Sequence, residues 1–350
     1  MIKNRNLSLD LLRVIACYLV MQQHASEFYY IGDQLSVVTG NNTFWIGIIT
    51  SLCRTSVPLF VMLSGFLLLP MQGSISTFFR KRFTRIVYPF IAWCVIYAGY
   101  FVLTRGESIA EMGIHILHIP INFGSEVGHL WYIYMLIGLY LVTPIISPWI
   151  ERASKRELEG YLGLWLLTTF LPYIHQVYPE VLGEAFWNDT PLLYYFTGFI
   201  GYFILGYYLK RYGYPSAALS WILLIVGYLL TAGIFCSRID TAAIVPELEL
   251  SWRFCTVNVL MMSVGLFSLI GRLHLNPTSP LTRLVTDISI KSYGMYLAHI
   301  IILNLYYQWF QPVSEHAYIV IPLIAVSTFI TVYLVIWLLA RLPKSKYLVG

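Results

Sequence analysis

The sequence predicts an all-α integral membrane protein, a bundle of about ten transmembrane helices with both termini cytoplasmic. Three observations predict it. The 350 residues are 58% hydrophobic and 11% charged, too apolar for an ordinary water-soluble domain. Apolar stretches recur along the chain, most of them near the roughly 20 residues that a hydrocarbon core demands. Lys and Arg cluster between alternate stretches, as the positive-inside rule requires.

The predicted spans are 9–29, 45–69, 86–104, 130–150, 161–177, 191–209, 216–236, 251–270, 290–310 and 318–340. The first is a retained helix, because no small-residue cleavage site follows His24 before the next span. In the second, Pro58 permits an irregular helix and Ser64-Gly65 a close backbone approach. The third opens on Ile86-Val87-Tyr88-Pro89, where a first-turn proline is tolerated. The fifth is short and leaves little room for tilt. The outer loops 105–129 and 237–250 and the inner connection 271–289 are too short for an appended soluble domain, so a single transmembrane domain over 1–350 is expected.

Under this count the clusters at Lys3 and Arg5, Arg80 to Arg85, Arg152 to Arg156, Lys210-Arg211, Arg272 with Arg283, and Arg341 to Lys346 share one side. The opposite loops carry Glu107, Glu111 and Glu126, then Glu180, Glu184 and Asp189, then Asp240, Glu247 and Glu249. The net charge of +5 therefore reads as a topology signal rather than a nucleic-acid surface. No zinc finger or glycine-rich nucleotide loop occurs, and Cys17, Cys53, Cys94, Cys236 and Cys255 are spaced as small buried hydrophobes, so no metal site is expected.

Ionisable groups inside an apolar helix need a partner or a purpose. The segment DLLRVIACYLVMQQHA holds Asp10, Arg13 and His24. The 11-residue step from Arg13 to His24 turns roughly 20° net and climbs about 16 Å, so the two share a face at different depths. Asp10 falls about 40° from His24. An imidazole titrates near neutrality and suits a general base; it equally suits a hydrogen bond between helices. Arg13 is placed either to clamp phosphate, with Arg80, Lys81, Arg82 and Arg85 enlarging an anion-binding patch, or to snorkel to the interface.

Arg54, deep in the second span, calls for a carboxylate, a carbonyl or a substrate oxygen. On the outer side, Glu126, Arg253 and Glu249 are possible partners for the polar rim as a whole. His129 and Trp131 fit an aromatic belt or a substrate platform. Tyr296 and His299 lie three residues apart on one face and either border a cavity or pack. Together these residues offer a phosphate-attracting end, a deep base and a polar rim.

The motifs resemble the membrane acyltransferase-3 family, the O-acyltransferases of bacterial surface polysaccharides and glycolipids. The matching features are Arg13 and His24 with ten residues between them, VPLFVMLSGFLL, FFRKRFTRIVYPF, HLWYIYMLIGLYLVTPII, GYFILGYYL and SYGMYLAHIIIL, spread over nearly the whole chain. The pattern is most similar to the stand-alone subgroup that O-acetylates enterobacterial common antigen and related envelope glycans. This resemblance implies a ten-helix core in the bacterial inner membrane. It also implies acetyl-CoA as donor with no prosthetic group, and a sugar hydroxyl of an envelope glycan or lipid-linked saccharide as acceptor. His24 and Arg13 then match the family's essential first-helix pair, and Arg82 and Arg85 its basic third-helix motif. Asp10 and Arg54 complete the expected catalytic set, Arg54 as an oxyanion donor, while His129, Trp131, Tyr296 and His299 face substrate. A glycolipid or metabolite transporter would use the same buried charges; nucleic acid is not an expected partner.

Overall fold

The computed structural model describes residues 5–121, 127–182 and 193–350. Lys3, Glu126, Glu184 and Asp189 lie outside the described residues. The fold is all-α and multi-pass. In chain order its helices are α1 Leu7–Tyr30, α2 Asn41–Thr50, α3 Ser56–Leu68, α4 Ile75–Arg105, α5 Ile109–His118, α6 Trp131–Arg152, α7 Lys155–Thr168 and α8 Leu171–Ile174. They continue as α9 Phe199–Tyr212, α10 Ala217–Arg238, α11 Val245–Leu248, α12 Val257–Gly271, α13 Pro280–Phe310, α14 Ala317–Leu339 and α15 Lys346–Val349.

Helix occurs within every stretch predicted to span. By length and composition, however, six helices among the described residues can cross a membrane, or seven if Val245–Trp252 and Val257–Gly271 form one bent span. The shortfall has two causes. α7 and α9 have 14 residues and α12 has 15, about 21–23 Å of rise against a core of roughly 30 Å. α1 is long enough at 24 residues, but Asp10, Arg13 and Glu27 lower its hydropathy.

Several boundaries differ from the sequence prediction. α4 begins at Ile75, so the basic run and the apolar span are one 31-residue helix, and Pro89 lies inside it rather than in its first turn. The Tyr293 hydroxyl donates to the Ile86 carbonyl at 2.7 Å in the turn that Pro89 loosens. Half of the predicted inner connection 271–289 is the start of α13, and the predicted loop 105–129 holds α5 behind a Ser108–Glu111 capping box. The irregularity of the second span lies before Pro58, in the 3-10 turn Ser51–Thr55 that carries Arg54.

α1 runs through the middle of the bundle, packed against α13, α14, α3, α2 and α12. α3 and α9 approach through reciprocal glycines. A methyl on Gly65 would fall 1.7 Å from the Phe203 carbonyl oxygen, and one on Gly206 would fall 2.0 Å from that of Met62. The Ser64-Gly65 pair thus supplies the close backbone contact that small residues permit between membrane helices.

Candidate active site

Two cavities open along α1 at different heights. The lower, of about 370 Å³, is lined by Arg5, Arg13, Arg82, Arg85, Ser64 and Ser289 together with tyrosines 132, 140, 293 and 296. The upper, of about 820 Å³, is lined by His24, Glu27, Arg54, Tyr97, His129, Trp131 and Glu249, among others. The rise from Arg13 to His24 separates them by about 16 Å.

At the basic cavity, Asp10 is buried and accepts from Arg5 Nε at 2.5 Å, from a terminal nitrogen of Arg5 at 2.8 Å and from the Ser289 hydroxyl at 2.7 Å. Arg13 stands 3.7 Å from the same carboxylate and donates to Ser289 at 3.1 Å. Asp10 therefore lines neither cavity; it holds two guanidiniums in place and does not join His24, which lies about 21 Å further up the helix. Of the basic run, Arg82 and Arg85 reach the cavity, whereas Arg80 and Lys81 are exposed and do not. Arg82 and Arg85, three residues apart, share one face of α4.

In the upper cavity, His24 Nδ1 lies 3.0 Å from Glu27 Oε2. A carboxylate accepts, so Nδ1 carries the hydrogen and Nε2 presents its lone pair. The His24 ring sits 5.3 Å from that of His299 and 6.2 Å from that of His129, which are themselves 4.9 Å apart. His129 is buried rather than in a surface belt, fixed through its carbonyl by the Tyr296 hydroxyl. His299 lies behind these rings and lines neither cavity. The Tyr296 ring, 5.5 Å from Tyr132 and 5.7 Å from His129, stands between the basic cavity and the histidines.

Arg54 is buried and donates to Glu249 at 2.8 Å, with its guanidinium 4.3 Å from the Trp252 ring centre. Tyr30 donates to the same carboxylate. Trp131 packs 5.7 Å from both Phe199 and Phe254, forming an aromatic wall. Arg54 and Trp131 also line an adjoining cavity of about 390 Å³.

Among the described residues, no group of three or more His, Cys, Asp or Glu is placed to hold a metal. The arrangement is an arginine-lined cavity and a histidine-bearing cavity set along one helix. A model of the acyltransferase domain matches residues 6–341, almost the entire chain. The chain belongs to the acyltransferase-3 family. No curated protein and no solved structure matches it. An acyltransferase of the membrane is thus established at the level of the family. Sequence reasoning about this acyltransferase missed Glu27 and Ser289. Glu27 was detectable as the acidic residue three positions after His24, on the same helix face. Ser289 carried no local signal, because it meets Asp10 across 279 positions of sequence.

Proposed function

We propose that this acyltransferase is an O-acetyltransferase that carries acetyl from cytosolic acetyl-CoA to a sugar hydroxyl of an envelope glycan or lipid-linked saccharide. The observation that carries this reading is a four-arginine cavity and a Glu-oriented histidine set along one helix, α1, about 16 Å apart. An elongated donor with a phosphorylated head and a distal thioester fits that spacing. Its phosphates meet Arg13, Arg82 and Arg85, which present planar donor forks. Its arm runs past Tyr132 and Tyr296 toward His24.

The acceptor enters from the opposite side, where Trp131 and Phe254 offer flat apolar faces and Arg54 with Glu249 offers polar contacts. His24 Nε2 removes the hydroxyl proton as the oxygen attacks the thioester carbonyl. The O–C bond forms, the C–S bond breaks, and the thiolate takes the proton back from His24. Glu27 holds the tautomer that leaves Nε2 free. Arg54 is engaged by Glu249 and stacked on Trp252, which fits it to orient the acceptor better than to meet an oxyanion.

The basic clusters support ten crossings, with the shorter helices completing the bundle and both termini cytoplasmic in the bacterial inner membrane. The motif likeness supports the enterobacterial common antigen subgroup. Transfer of labelled acetyl from acetyl-CoA to an envelope glycolipid extract, by the purified chain in nanodiscs, tests the reading. Label should appear with the native chain and vanish with His24→Ala; full labelling by that variant would remove His24 as the base.

A further inference from the structure

α4 carries no charged side chain between Arg85 and Arg105, a run of about 28 Å that matches a hydrocarbon core of roughly 30 Å. Arg105 therefore marks the membrane interface at the His24 end of the bundle, where Phe101, Thr104 and Arg105 line the upper cavity. The chain does not leave the bundle there. Gly106, at φ +70°, ends α4 in the left-handed conformation, and the capping box of Ser108 and Glu111 starts α5 at Ile109.

α5 then packs back along α4 instead of running away from it. Its His115 lies 5.7 Å, ring to ring, from Phe101 and 2.8 Å from the Glu107 carboxylate. Past its far end the Ile119 carbonyl accepts from the Tyr134 hydroxyl at 2.5 Å, and the Tyr134 ring sits 5.1 Å from that of Phe90. Phe90 lies about 16 Å below Phe101 on α4. Measured against α4, α5 starts at the interface and descends into the level of the uncharged run.

The polar groups that go down with it are met by protein. Glu107 takes His115, Tyr134 takes the Ile119 carbonyl, and the capping box serves the first turn. Backbone that enters the hydrocarbon layer without crossing it requires such partners. The side chains sort in the same sense. Ile109, Ala110, Gly113, Ile114 and Leu117 fall within an arc of about 140°, and Glu111, His115 and His118 lie together beside it. Ile109 is 74% exposed and Leu117 77%. Leu103, in the uncharged run of α4, is 85% exposed, and a bare leucine at that depth of a span faces lipid.

We propose that α5 is a re-entrant half-helix that binds the bilayer, its apolar stripe lying against phospholipid acyl chains. Depth selects the occupant: the stripe lies at the level where α4 already presents Leu103 to lipid, so the two surfaces are continuous. α5 then stands between the acyl chains and the last turns of α4, the turns whose inner side walls the upper cavity.

Photo-cross-linking of the full-length chain in nanodiscs of phosphatidylethanolamine and phosphatidylglycerol reads the occupant directly. Benzoylphenylalanine replaces Ile114 or Leu117, one at a time, with the exposed loop residue Asp240 as the control position. After irradiation, intact-mass spectrometry should show an adduct of one phospholipid at both stripe positions and none at Asp240. Fragmentation should place the Leu117 adduct on an acyl chain. Adducts confined to headgroups would mean that α5 rests on the membrane surface, and chain-to-chain cross-links would mean that a second copy covers the stripe. Either result overturns the proposal, as does the absence of any adduct at both positions. Hydroxyl-radical labelling of the native chain needs no substitution and guards against a misfolded variant. Ile114 and Leu117 should stay unlabelled in nanodiscs; labelling as strong as that of the loop around Asp240 overturns the proposal. Neither readout depends on acyl transfer.

Discussion

His24 Nδ1 and Glu27 Oε2 face each other across 3.0 Å on successive turns of α1, inside the upper cavity. Three residues of spacing on one helix suffice to bring them together. The pair needs no tertiary partner to form, yet it decides which nitrogen of His24 is free to act.

Replacing Glu27 with Gln should lower kcat about 10-fold, because a neutral oxygen still accepts from Nδ1 but no longer stabilises the imidazolium. KM for acetyl-CoA should not change, since the proposed site of the donor head is the other cavity. Steady-state kinetics with both substrates varied separates the two. A raised donor KM with unchanged kcat would place Glu27 in donor binding instead.

Asp10→Asn should act on the donor rather than on the chemistry. The carboxylate holds Arg5 at 2.5 Å and Arg13 at 3.7 Å. Its loss frees both guanidiniums and should raise KM for acetyl-CoA by roughly 3- to 10-fold, in line with one charged hydrogen bond. Donor titration by calorimetry provides the check, with Arg13→Ala expected to be weaker still.

Arg82→Gln and Arg85→Gln should each weaken acetyl-CoA binding. Arg80→Gln and Lys81→Gln, whose side chains point away from the cavity, should leave it within about twofold, as surface charges do. Equal losses at all four positions would mean that net charge, not cavity geometry, attracts the donor.

Gly65→Ala should prevent the bundle from closing. The added methyl meets the Phe203 carbonyl oxygen at 1.7 Å, backbone against backbone, and neither helix can yield without moving the other. The expected loss is about 3 kcal/mol or more, the upper end of overpacking effects. Gly99→Ala, with nothing within 4 Å of the new methyl, serves as the control and should be neutral or mildly stabilising. Thermal unfolding of both variants in one detergent compares them directly.

Glu249→Gln should destabilise the chain by about 1–3 kcal/mol, because Arg54 is left buried with its charge uncompensated while Glu249 is 26% exposed and partly solvent-screened. Pairing it with Arg54→Met should recover part of that loss. A double-mutant cycle that showed no coupling would mean that the two charges stand independently.

Much of the fold was legible because a membrane limits the alternatives. Apolar stretches become helices when lipid offers no hydrogen bonds, and helix occurs within every stretch read as a span. Element ends were harder. α4 and α13 extend well beyond their apolar parts, since helix formation continues through polar residues that hydropathy assigns to loops. The 3-10 turn at Ser51–Thr55 was legible in part: Pro58 has no N–H for the Arg54 carbonyl four residues back, so the irregularity falls in the turn before the proline.

The candidate site divides in the same way. Arg13, His24, Glu27, Arg82 and Arg85 sit on two helices at helical spacing, so periodicity alone assigns them faces and heights. Their chemistry was readable from residue type, because a charge or an imidazole in an apolar helix has few passive uses. Long-range partners had no such signature. Asp10 meets Ser289, Arg54 meets Glu249, and His24 meets His299 across 279, 195 and 275 positions, respectively. Local sequence encodes how a helix turns, whereas which helices touch follows from how the whole bundle buries its faces. The fold class, the depth order of Arg13 and His24 and the split between an arginine-rich end and a histidine end thus belong to the linear chain. The bonding of Asp10 to Arg5 and Ser289, the engagement of Arg54 by Glu249 and the burial of His299 beside His24 belong to packing.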